Sequence, residues 1–246
     1  RDAEDEIYDD LSTVVRVRRS LVEMFTETGI SRFMLVDGDT GIGKTKTGKA
    51  QIMRFGSRIL YVELSPVFGD NPFNFIALIL DALGQKNPPT NPLERYKKVV
   101  AELNGTRRCL IIDELHHAGP RILNTIKTLI NSTPGEFVGL AMPTLWARLE
   151  KAAYEEVRQL TGNRLWERIR LEQVSRADIG KFLSKKLPGL GDDQKQAVAL
   201  LEQAARGRGN LAFVKRACVR AASQYDAQKI TLEDFASVVS AEVSRR

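Results

Sequence analysis

The order of apolar segments in this 246-residue sequence predicts an α/β fold, a mostly parallel sheet with helices on both faces, followed by a small all-helical part. Three observations carry that expectation. Short apolar runs alternate with stretches of helical period through the first two-thirds of the chain, as strands do when crossover helices join them. A Gly-rich loop follows the first such run and opens a helical stretch. After about residue 174 the strand-like runs stop and only helical periodicity remains.

The elements follow in order. "LSTVVRVRRSLVEMF" has apolar residues at 11, 14, 15, 21, 22 and 25, which is helical spacing. "RFMLVD" (32–37) and "RILYVELS" (58–65) are short and apolar, hence buried strands. "NPFNFIALILDALG" and "NPLERYKKVVAEL" are helices, "RRCLIIDE" a third strand, "PRILNTIKTLI" a helix, "EFVGLAM" a fourth strand and "RIRLEQ" a fifth. "SRADIGKFLSKKL", "DDQKQAVALLEQAA", "NLAFVKRACVRAAS" and "TLEDFASVVSAEV" form the helical part, and "SRAD" and "TLED" fit the capping-box pattern. The expected division is residues 1–173 for the α/β domain and 174–246 for the helical one.

The bulk numbers narrow the class. A chain that is 43% hydrophobic can bury a real core. No apolar run approaches the roughly 20 residues of a membrane span, and no secretory pattern opens the sequence. Cys109 and Cys218 have no CxxC spacing and sit among apolar neighbours, which suits buried free thiols in a reducing cytoplasm. The net charge of +6 is uneven, with 13 Lys/Arg against 8 Asp/Glu in residues 174–246. That is either a solvated basic surface or the footprint of a polyanion partner.

"GDTGIGKT" fits the phosphate-loop (Walker A) pattern through Gly38, Asp39, Thr40, Gly41, Ile42, Gly43, Lys44 and Thr45, with Lys46 next. Small residues let backbone N–H groups curl around phosphates at a helix N-terminus. Lys44 would reach the terminal phosphate oxygens of ATP, and the Thr45 hydroxyl would hold Mg²⁺. Asp113 ends the apolar run "CLIID" and suits the Mg²⁺ shell as a Walker B acid. Glu114 follows, where it could polarise an attacking water. "DELH" also matches a helicase box, but a helicase motor needs a second such domain. Zinc is a poor fit for two adjacent histidines with no cysteine at ligand spacing. His116 and His117 are therefore expected to be structural residues at the start of the next helix.

These two motifs, followed by an all-helical part, resemble the AAA+ ATPases. "FVGLAMPTLWARLEKAAYEEVRQLTGNRLWERI" further resembles the MuB/TnsC group of transposition regulators, through a segment that here reads Arg164-Leu165-Trp166-Glu167-Arg168-Ile169. The resemblance implies an AAA+ P-loop sheet with a helical lid, and an ATPase, whose turnover is expected to be slow and switch-like because the lid lacks the family's arginine. It implies Thr144 as the γ-phosphate sensor at the end of the fourth strand, where the family's usual Asn is missing. Arg164 and Arg168, in a helical-looking segment, are candidates for a finger reaching a neighbour's nucleotide. The family's lid arginine is replaced by Ala212, with Arg208 or Lys215 as possible substitutes.

The partners implied are double-stranded DNA bound without sequence preference, a transposase, and further copies of the chain, head to tail or in a helical filament. DNA recombination by transposition is the process, no membrane is involved, and the place is the cytoplasm. Candidate DNA contacts are Lys46, Lys49 and Arg54 after the phosphate loop, and Arg216 and Arg220, four apart on one lid helix with Arg206, Arg208 and Lys215 nearby. "PLERYKK" is a weaker candidate. The alternatives are an AAA+ protein of secretion assembly or signalling, which predicts an appended membrane or binding segment, and a replication-initiator or helicase-loader ATPase, which predicts a DNA-binding domain after the lid.

Overall fold

The structure, a computed structural model, describes residues 8–26, 28–206 and 209–245. The acidic start, residues 1–7, and Arg208 lie outside the described residues. Five strands, β1 (Phe33–Gly38), β2 (Ile59–Glu63), β3 (Cys109–Asp113), β4 (Glu136–Ala141) and β5 (Leu165–Leu171), form one parallel sheet in the order β2-β3-β4-β1-β5, with helices on both sides. β1, β3 and β4 are buried along their whole length, which is why they read as unbroken apolar runs.

The fifth strand begins earlier than expected, and Arg168 lies within it while Arg164 directly precedes it. The helical reading of that segment is therefore corrected. Arginines four apart fit a helix, but "LWERIRL" also alternates, and its backbone pairs along the edge of β1, where Phe33 N donates to Arg164 O at 2.9 Å.

Local chemistry accounts for the helix starts. α1 is Ser12–Met24 and α2 is Lys44–Phe55. α3 (Pro72–Ala82) and α4 (Pro92–Thr106) each begin with proline behind an asparagine cap: Asn71 accepts from Phe73 N at 2.9 Å and Asn91 from Leu93 N at 2.8 Å. α5 (Pro120–Ser132) follows Gly119, which offers no side chain. Asp70 accepts from Arg121 N and Ile122 N instead, both at 2.9 Å. α6 (Thr144–Leu149) and α7 (Arg158–Thr161) lead into β5.

Beyond β5 come α8 (Arg176–Lys186), α9 (Gln194–Ala205), α10 (Asn210–Gln224) and α11 (Leu232–Ser244). Thr231 and Asp234 form the expected capping box. In "SRAD" only half of the box forms. Ser175 accepts from Asp178 N at 3.0 Å, but the Asp178 carboxylate accepts from Ser12 N at 2.9 Å and from the Ser12 hydroxyl at 2.5 Å.

The chain divides into two compact units. One comprises Arg16–Gly38 and Lys44–Arg170, the sheet and its covering helices, with Phe33, Leu35, Phe75, Ile112, Ile126 and Phe137 in its core. The other comprises the chain up to Val15, Asp39–Gly43, and Leu171 onward. Phe182, Leu201, Phe213, Val214, Phe235 and Val238 are buried there. Among the described residues, no helix is long and apolar enough to cross a membrane.

Candidate active site

β4 lies between β1 and β3, so the strand ending in Gly38 and the strand ending in Asp113 reach the same edge of the sheet, one strand apart. Carboxyl ends of parallel strands next to a reversal in strand order are where such sheets bind ligands. Lys44 opens α2 and is buried, with its ammonium donating to the Gly38 carbonyl at 2.7 Å. Thr45 follows in the first turn, half-buried. The loop Asp39–Gly43 has positive φ at Gly41 (81°) and Gly43 (103°), conformations that favour glycine. It packs on the start of α10. Ala212 N donates to Gly41 O at 3.0 Å, and a Cβ on Gly41 would stand 2.6 Å from Gly209 O. The residue standing at the family's lid arginine thus meets the loop through its backbone amide.

Asp113 is fully buried. The Tyr61 hydroxyl donates to one of its oxygens at 2.5 Å and Glu114 N to the other at 2.8 Å. Burial and the Asp113 bond push the Tyr61 hydroxyl pKa up, so it stays a donor. Glu114 sits in the left-handed region (φ 55°, ψ 32°) and is followed by a single 3₁₀ turn, Leu115–His117. The histidines therefore precede α5 instead of starting it. The turn brings the Glu114 carboxylate within 3.1 Å of His116 Nε2 and 3.8 Å of His117 Nε2. His116 is pushed down to about 4 by burial, then by His117 and Lys44, which keeps its imidazole neutral. Arg148 of α6 donates to His116 O at 2.5 Å and to Ala118 O at 3.3 Å, pinning the turn.

These residues fit MgATP. They offer a lysine at the mouth of a glycine loop, a hydroxyl in the first turn behind it, and a buried carboxylate already supplied with two donors. Together they can hold phosphate, share an ion, and polarise water at Glu114.

Other nominated residues fall elsewhere. Thr144 is exposed at the first position of α6. Arg164 donates to Asn131 Oδ1 at 2.8 Å at an exposed position. Arg168 makes a two-pronged ion pair to the fully buried Asp37 of β1, at 2.9 and 2.6 Å, and lies 4.1 Å over the Trp146 ring. That ties it within its own subunit. Lys46, Lys49 and Arg54 are exposed along α2. Arg216 and Arg220 both pair with Glu242 of α11, so half of their joint charge is neutralised. Arg206 pairs with Glu202 at 3.8 Å. In "PLERYKK", Arg95 is spent on Pro89 O and the Phe73 ring. The sequence reading missed Asp37, Tyr61 and Arg148. Only the tyrosine left a trace, as a polar group within an apolar strand.

Residues 30–149 match the family model described as "AAA domain". No curated protein matches the sequence. Among solved structures, the crystal structure of Cdc6p from Pyrobaculum aerophilum aligns with TM-score 0.60 at 16% identity, over 85% of this chain and 60% of that one. A structure of Drosophila ORC bound to DNA gives 0.61 at 11%, over 94% and 66%. The Aeropyrum pernix Orc1 protein in complex with DNA gives 0.59 at 19%, over 95% and 65%. The chain spans less than two thirds of the length of each, and at these identities the likeness is one of fold. The phosphate loop and the acids of β3 both lie within residues 30–149, the stretch that matches the AAA domain model.

Proposed function

We propose that this chain is an ATP-dependent DNA-binding regulator that assembles head to tail on duplex DNA and recruits or activates a transposase, with slow hydrolysis as the off-switch. The observation that carries the ATP switch is the meeting of Lys44 and Asp113–Glu114 at one edge of the sheet. MgATP would be held by Lys44, Thr45 and Asp113, and would supply the scissile phosphate bond and the ion's positive charge. Lys44 leaves the Gly38 carbonyl for phosphate oxygen. Thr45 and Asp113 hold the ion, and the Tyr61 hydroxyl keeps the Asp113 carboxylate aimed. Glu114 takes the proton of the attacking water. Thr144 reads the phosphate, and Arg164, which donates to Asn131 instead of pairing with a buried acid, is the less committed of the two candidate fingers.

The transposition role rests on the resemblance of residues 137–169 to the MuB/TnsC group. DNA contact is supported by the exposed lysines and arginine of α2 and by the basic face of α10. A replication-initiator or loader role is the second reading, favoured by the fold shared with Cdc6p and with ORC proteins solved in complex with DNA. Filter binding and electron microscopy with duplex DNA, with and without ATP, test the proposal. Filaments that need ATP and ignore sequence are expected. DNA binding indifferent to ATP overturns the switch, and ATP-dependent closed rings at defined sequences favour the second reading.

A further inference from the structure

Glu114 is clustered with His116 and His117, two residues to which the hydrolysis reading assigns no role. Each of the three offers one ligand atom, and those atoms all lie within 4.8 Å of one another. The left-handed Glu114 and the turn after it cause this: His117 N donates to Glu114 O at 2.9 Å, which brings positions i, i+2 and i+3 to one side. We infer that these three residues hold a divalent transition-metal ion of the zinc type, and that the ion silences Glu114 as a base. The second half rests on the ATPase reading above.

The geometry suits such an ion. Donors bound at about 2.1 Å to one ion stand roughly 3 to 4 Å apart. The Glu114 oxygen stands 3.1 and 3.8 Å from the two imidazole nitrogens, so little movement is needed. Arg148 already holds the turn through the His116 and Ala118 carbonyls, so the ligands are preorganised. Two imidazole nitrogens with one carboxylate select zinc, cobalt, nickel or copper over magnesium, which prefers oxygen donors. The ion therefore does not compete for Thr45 and Asp113. The neutral His116 imidazole would ligate through Nε2 with its ring proton on Nδ1, and the Glu114 oxygen that would act on water is spent on the metal. Three protein ligands leave a coordination position open to water.

The test uses the full chain, free of any histidine tag and stripped with a chelator, titrated with Co²⁺ by visible absorbance and with Zn²⁺ by calorimetry. One equivalent should bind with a d–d band, and His116→Asn and His117→Asn should each weaken binding at least about ten-fold. The absence of a band, or affinity unchanged in both variants, overturns the site. If His116→Asn unfolds by circular dichroism, the more exposed His117→Asn decides alone. Lys44→Ala should bind Co²⁺ as the wild type does, so this arm stands even if the chain hydrolyses no ATP. For the regulatory half, one equivalent of Zn²⁺ should lower ATP turnover at least about ten-fold, with recovery on adding a zinc-selective chelator. Co²⁺ binding with turnover indifferent to Zn²⁺ overturns that half and leaves the site. A metal-free protein that hydrolyses no ATP refutes the ATPase reading instead.

Discussion

Arg168→Ala separates a finger from a strut. In the structure the guanidinium neutralises Asp37, which is fully buried at the end of β1, one residue before the phosphate loop. Removing one partner of a buried pair leaves an uncompensated charge and costs about 3–5 kcal/mol. For a chain of this size each kcal/mol moves Tm by about 2–4 °C, so a fall of roughly 6–20 °C is expected. Loss of the stacking on Trp146 adds to it. Scanning calorimetry of the nucleotide-free protein is the assay, with urea unfolding as a check that the m-value holds. The double variant Asp37→Asn/Arg168→Met removes both charges together and should recover most of the loss. A finger that acts only on a neighbour predicts an unchanged melting point for the isolated chain. A Tm within about 2 °C of wild type would refute the strut reasoning.

The other expectations are briefer. Lys44→Ala should lose ATP binding, measured by a fluorescent nucleotide, and with it ATP-stimulated DNA binding; retention of both sinks the switch. Glu114→Gln should keep nucleotide and DNA while turnover falls by roughly 10²–10⁴-fold, and an unchanged phosphate-release rate moves the base elsewhere. Arg164→Ala should spare ATP binding but reduce hydrolysis and assembly. Mixed with Lys44→Ala it should regain some activity, because one interface then pairs an intact loop with an intact arginine; no recovery in demonstrated mixed assemblies assigns Arg164 to its own subunit. Burial pushes Cys218 up to about 12 and Cys109 up as well. Both thiols should therefore resist Ellman's reagent at pH 8 until denaturant is added, and fast labelling of the folded protein contradicts that.

Where periodicity carried the signal, the sequence was easy to read. The buried strands 33–38, 109–113 and 136–141 have no polar face to disguise them, and the phosphate loop is a local pattern whose flanking strand and helix are visible beside it. β5 was harder, because "RLWERIRL" satisfies a helical spacing of arginines and a strand alternation at once, and only its pairing along β1 decides. Contacts between distant residues were not legible at all. Asp37 and Arg168 are 131 positions apart and Ser12 and Asp178 are 166 apart, and no local pattern announces such partners. The histidines show the same limit in reverse. Adjacency in sequence argued against a ligand set, and an unforeseen left-handed Glu114 supplied the third donor.

The tight seat of Gly41 changes how a mutational scan of the loop should be interpreted. Any larger residue there collides with the backbone of Gly209, 2.6 Å from where its Cβ would sit, before a nucleotide is considered. The same loop residue accepts the Ala212 amide, two positions into the helix that presents Arg216 and Arg220. A defect from Gly41→Ala is thus not evidence that position 41 touches phosphate, because loop and helix would be disturbed in one stroke. A screen scoring DNA retention and a screen scoring nucleotide retention should both return this position, so its return in either one does not assign it to phosphate or to DNA.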